Sequence, residues 1–144
     1  MNYKQYKNIN DEYKNDFYQV PKIFFHKLLK EPKALAIYML MYNRFTLSKK
    51  SYKFMDKNGN IFIHFSRVQA SNILGFSRQT VAKSFEFLIN EKIIEEVDCE
   101  DKTGMKKIFF LSEEFHYENG TEEFKNKIQK EKELDEIFKE LEFF

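Results

Sequence analysis

The 144-residue chain has no tryptophan, one cysteine, two prolines and four glycines, and no apolar run approaches the ~18 residues that a membrane span requires. A single Cys99 excludes an intramolecular disulfide and any zinc site built from thiolates, which fits a reducing compartment. The scarcity of glycine and proline argues against a collagenous, loop-rich or linker-dominated chain. The opening segment MNYKQYKNINDEYK has no apolar core followed by a small-residue cleavage site, so a cytoplasmic location without a membrane partner is expected. His26, His64 and His116 are far apart, Cys99 lies in an acidic stretch, and no glycine-rich phosphate loop is present. No catalytic centre, cofactor or metal is therefore expected.

What the chain does contain is large apolar side chains: 17 Phe and 8 Tyr within a 42% hydrophobic, 33% charged composition, enough for one ordinary domain and its core. The net charge of +1 conceals a gradient. Residues 1–60 hold 12 Lys/Arg against 5 Asp/Glu, residues 61–112 hold 7 against 7, and residues 113–144 hold 5 against 11. A basic front suits phosphate contacts, although lysines of this kind also simply solvate helices.

Three segments are expected: a flexible arm over 1–16, a domain over 17–118, and an amphipathic helix over 119–144. Pro21 opens a short helix carrying Ile23, Phe24, Leu28 and Leu29. Pro32 opens a longer one to about Leu47, with Leu35, Tyr38, Met41, Tyr42 and Phe45 on a buried stripe. Asp56-Lys57-Asn58-Gly59 is turn chemistry leading into a strand, Ile61 to Phe65. Asp56, Asn58 and Asn60 imitate the start of a calcium loop, but the glycine falls too early and Arg67 stands where the bidentate Glu belongs, so that reading fails.

Ser66-Arg67-Val68-Gln69 has the form of a capping box and predicts a helix start. Val68, Ala70, Ile73 and Leu74 form its expected inward face, and Gly75 is placed to close it in the left-handed conformation. Ser77 caps a second helix whose Val81, Phe85, Leu88, Ile89 and Lys92 follow at helical spacing up to Ile93-Ile94. Two helices meeting across Gly75-Phe76-Ser77 make a helix-turn-helix, with Phe76 as the plug. Gln79, Lys83, Glu86 and Asn90 then point outward, with Thr80 and Ser84 on one flank. Arg78, Gln79 and Lys83 are the candidate base-reading residues, since Gln pairs bidentately with adenine and Arg or Lys with guanine, and the first turn sits nearest the base edges. The free amides near Ser77 suit a phosphate oxygen.

A strand from Glu95 to Glu100, a turn at Asp101-Lys102-Thr103-Gly104 and a returning strand from Lys106 to Leu111 complete a wing, with Ile61 to Phe65 as the third strand. The fold class is thus α+β and mostly helical: a winged helix, meaning a helix-turn-helix with a small antiparallel sheet, plus an extra C-terminal helix. Candidate phosphate contacts are Ser66, Arg67, Ser77, Thr80, Ser84, Lys102, Lys106 and Lys107. The acidic outgoing strand, with Glu95, Glu96 and Asp98, stands against a close approach of that edge to phosphate.

Tyr18-Gln19-Val20-Pro21-Lys22 with its helix, the Asp56 to Ile63 segment, Ser66 to Gly75, and Ser77-Arg78-Gln79-Thr80-Val81 with its wing resemble, in that order, the amino-terminal domain family of RepA-type plasmid replication initiators. The resemblance runs from about Phe17 to Leu111. It implies a winged helix that binds double-stranded DNA at origin repeats as a homodimer, with host replication proteins as further partners. Initiators of this family are usually longer, with a separate carboxy-terminal domain. A protein-interaction adaptor on the same scaffold, or a transcriptional repressor, is the competing reading. Over 121–142, Phe124, Ile128, Leu134, Ile137, Phe138 and Leu141 form a stripe that packs on the winged helix or pairs with a second subunit, or else the acidic face of this helix holds the basic front of another molecule; dimerisation is expected through this helix or the amino-terminal segment.

Overall fold

The computed structural model describes residues 7, 17–49, 52–99 and 105–141. The arm apart from Lys7, the wing turn with Lys102, and the closing Glu142-Phe143-Phe144 lie outside the described residues. Pro21, with φ fixed at −58°, presents its carbonyl to the amides of Phe24 and Phe25 at 3.0 Å and so starts α1 (Lys22–Leu28). Pro32 occupies the first turn of α2 (Pro32–Ser48). Both helices face the core, but not on the expected residues alone. Leu29 is exposed, and the fully enclosed positions of α2 are Ala34, Ile37, Tyr38 and Met41. Leu35, Tyr42 and Phe45 pack around that centre, with the Phe45 ring 4.9 Å from Phe110.

The Asp56 turn is held by its own carboxylate, which accepts from the amides of Asn58 and Asn60 at 2.9 Å each; those bonds, Asn60 first, hold its pKa below the usual carboxylate value. It delivers β1 (Phe62–Ile63) to the sheet. The sheet is antiparallel in the order β1-β3-β2, with β2 spanning Ile94–Asp98 and β3 Lys106–Phe110. Phe62 faces Phe109 and Glu96 faces Ile108 across the ladder.

Between β1 and β2 run α3 (Arg67–Leu74) and α4 (Arg78–Asn90). The capping box at Ser66 is present, and Gly75 takes φ +72°, closing α3 through its amide bond to the Ser71 carbonyl. Phe76 is half-buried against the core. Val68 and Ile73 are more than half exposed, contrary to the inward face drawn from spacing; of that set Ala70 is fully enclosed and Leu74 partly so. With eight residues, α3 offers the core only a narrow strip, in which the buried residue is Ala70.

α4 ends at Asn90 rather than running on to Ile93. The Lys92 amide bonds the Ile89 carbonyl at 3.1 Å and the Ile93 amide bonds the Leu88 carbonyl at 3.0 Å, a Schellman stop with Lys92 at φ +59° where glycine is commoner. Lys92 is therefore not part of the apolar stripe, and Ile93 enters the core beyond the helix.

Two helices follow the sheet. α5 (Glu113–Asn119), capped by Ser112, was not expected from the sequence; α6 spans Glu122–Leu141. Gly120 joins them, and a Cβ there would sit 2.7 Å from the His116 carbonyl oxygen, so a side chain cannot be added without prising the helices apart. Ile128 is 6% exposed and joins the common core, Phe124 packs against it, and Lys22 and His26 on α1 pair with Glu131, Lys22 also with Asp135. The first half of α6 is thus built into the winged helix.

His116 is buried, its Nε2 donating to the Lys92 carbonyl at 2.8 Å while Nδ1 has no hydrogen-bond partner among the described residues. Burial, then the nearby Lys27 charge, lowers its pKa. The unfolded chain therefore takes up this proton more readily than the folded one. The resulting stability is complete above the unfolded value of 6.5 and is lost as pH falls below it. We expect the urea midpoint of the wild type to drop between pH 7.5 and 5.5 by more than that of His116→Gln, whose amide can donate to the same carbonyl without titrating. Equal drops would remove His116 from the account.

Candidate nucleic-acid interface

α4 divides cleanly into two faces. Val81, Phe85 and Leu88 are wholly enclosed, and Arg78, Gln79, Lys83, Glu86 and Asn90 are exposed. The division follows from about 100° per residue on a helix with one apolar arc. At its start the Ser77 hydroxyl accepts from the Thr80 amide at 3.2 Å and donates to the Thr80 hydroxyl at 2.9 Å, which fixes the entry of the chain.

The eight candidate phosphate contacts fare differently. Ser84 is 2% exposed and its hydroxyl donates to the Thr80 carbonyl at 2.9 Å, so it does not reach a ligand. It lies three residues after Val81 and four before Leu88, inside the buried arc rather than on its flank. Thr80 is half-buried and Ser77 exposed. Lys107 lies on the opposite face of the sheet, its ammonium 4.8 Å from the centre of the Phe62 ring, because successive residues of a strand alternate sides. Lys102 lies outside the described residues.

Ser66, Arg67 and Lys106 are brought together. Ser66 accepts from the Gln69 amide at 3.1 Å, and its own amide donates to Gln69 Oε1 at 3.0 Å. The Arg67 guanidinium forks over the Glu96 carboxylate, with Nη1 3.1 Å from Oε1 and Nη2 3.5 Å from Oε2, and stacks 4.5 Å from the Phe85 ring centre. Lys106 Nζ is 3.5 Å from Glu96 Oε2. These residues border a groove of about 520 Å³ between the start of α3 and the sheet.

Arg44 lines the same groove and was missed in the sequence: Nη1 donates to the His64 carbonyl at 3.0 Å, and the guanidinium lies 5.2 Å from the Phe65 ring centre. A signal was available. The chain has only three arginines, Arg44, Arg67 and Arg78, amid its lysines, and two of them border this groove. Among the described residues there is no group of three or more His, Cys, Asp or Glu placed to hold a metal, and no helix is long and apolar enough to cross a membrane.

A helix-turn-helix followed by a β-hairpin that a third strand completes is a winged helix. The chain belongs to the family described as the N-terminus of replication initiator protein A (RepA), whose pattern residues 16–130 match. Its fold is similar to three solved structures. The "N-Terminal domain of DNA binding protein" is 26% identical, with a TM-score of 0.62 over 90% of this chain and 95% of that one. The "Structure of Rep-DNA complex" is 26% identical, with a TM-score of 0.61 over 89% and 95%. The "Structure of MDR initiator" is 24% identical, with a TM-score of 0.59 over 89% and 98%, and speaks to the fold alone. No curated protein matches the chain significantly.

Proposed function

We propose that this chain binds double-stranded DNA sequence-specifically at repeats in a plasmid or mobile-element origin, as the recognition domain of a replication initiator. The observation that carries this reading is the exposed Arg78, Gln79 and Lys83 on the first turns of α4, set over a fully enclosed Val81, Phe85 and Leu88. A helix so anchored presents donors and acceptors to a major groove without moving. Ser66, Arg67 and Lys106 then meet the backbone beside it. Family membership and the solved Rep–DNA complex at 26% identity support the same reading. On this reading the chain binds rather than catalyses, acts in the cytoplasm, and recruits host replication proteins once seated on DNA.

Selection of bound duplexes from a random library is the direct test. The expected result is enrichment of a short motif, with affinity falling steeply as salt rises because each neutralised phosphate releases counterions. A library that emerges unenriched would sink the proposal.

We place a homodimer contact on the distal half of α6. Leu134, Ile137, Phe138 and Leu141 recur at three- and four-residue spacing and are all exposed, Phe138 at 66%, an arrangement suited to isologous pairing with a second copy. Analytical ultracentrifugation of full-length Phe138→Glu is expected to show monomers where the wild type is a dimer. A variant that stays dimeric would exclude α6 from the contact.

A further inference from the structure

Glu96 lies 29 residues beyond Arg67 on an acidic strand, yet it faces the helices rather than solvent. It sits opposite Ile108, a core residue, and its side chain is only 9% exposed. Both carboxylate oxygens are engaged by cations that are themselves 42% and 49% exposed, Arg67 and Lys106. The Arg67 guanidinium carbon also lies over the Phe85 ring, 4.5 Å from its centre. An arginine fork on a carboxylate has the same geometry as an arginine fork on a phosphate.

The geometry points to Glu96 as an internal competitor for the DNA backbone: it occupies the phosphate seat formed by Arg67 and Lys106, and thereby suppresses binding to non-cognate duplexes. This inference rests on the DNA-binding reading and concerns the regulation of that same surface. Two cations clamped on one carboxylate present a net charge of +1 where free ones would present +2. Non-specific affinity is almost wholly backbone electrostatics, so neutralising part of this cluster lowers it directly. A cognate site supplies base contacts to α4 as well, and its approach places a phosphate within reach of the same two side chains. The ratio of specific to non-specific affinity rises, although the carboxylate itself touches no base.

Glu96→Gln tests this with a mixed-sequence 20-base-pair duplex, which needs no knowledge of the target. The amide keeps the side chain's shape and removes its charge. The expected result is tighter binding of the mixed duplex, about five- to tenfold at low salt, with the slope of log affinity against log salt steeper by about 0.9 for each additional phosphate contact. In Arg67→Gln/Glu96→Gln the gain should shrink, because one of the released cations is gone. Glu96→Asp, which keeps the charge on a stem one methylene shorter, should move the slope in the same direction by less, and serves if the glutamine variant melts early.

An unchanged slope in both single variants, or weaker binding of the mixed duplex by folded Glu96→Gln, would show that Glu96 only braces the wing. A wild type that binds the mixed duplex, with variants that match it, overturns this role and leaves DNA binding standing. A wild type that binds neither the mixed duplex nor any selected one overturns both.

Discussion

Replacing Phe85 by alanine should cost about 3–5 kcal/mol of folding stability, read as a fall in the urea midpoint at unchanged slope. The ring is fully enclosed and is among the largest side chains so placed. It projects from the middle of α4 into a cluster that includes Met41, Ala70 and Ile94, and its outer face carries the Arg67 guanidinium. Alanine leaves a void that these neighbours close only partly, and it removes the platform beneath the arginine. Against a typical domain stability of about 5–15 kcal/mol, this is a large fraction. A loss under about 1 kcal/mol would mean that α4 is not pinned by this ring, and the rigidity assumed for its outer face would go with it.

The second large effect concerns the base contacts. Gln79→Ala is expected to relax preference at one position of a selected site by about 1–3 kcal/mol, and Arg78→Ala to do so at a neighbouring position. Both side chains are exposed on the first turn of α4, so their removal should leave the folded state nearly untouched. Competition of single-base variants of the selected duplex reads the effect position by position. A uniform loss across all of them would mean that these residues meet phosphate rather than bases, and that the reading edge lies elsewhere on the helix.

The elements most legible in the sequence were those fixed by contacts within four residues. The Ser66–Gln69 box, the left-handed Gly75 and the Ser77 cap are local hydrogen-bond chemistry, and all three are present. The arc of α4 was readable because thirteen residues repeat the apolar pattern often enough to define a direction. α3 has only eight, and its Val68 and Ile73 show that two turns do not determine which apolar residues face inward. Ser84 was misplaced by one step around the wheel, because a hydroxyl that bonds its own helix is tolerated inside a buried arc.

α5 was hidden by its brevity and by a largely polar sequence around one buried histidine. The acidic strand read as a repulsive edge. Its composition was legible, but the side to which Glu96 turns depends on the ladder register with β3, which only the assembled sheet determines. Arg44 likewise reaches a carbonyl twenty residues away, beyond any local pattern.

The left-handed Lys92 leaves a two-residue joint, Glu91 and Lys92, between the last turn of α4 and Ile93, which leads into β2, and its carbonyl is fastened from behind by His116. With so little slack, α4 and the paired strands β2 and β3 are held as the arms of a fixed caliper. If the proposed DNA binding holds, a groove of the wrong width would itself have to deform to fit, and duplexes would be sorted by stiffness as well as by base contacts.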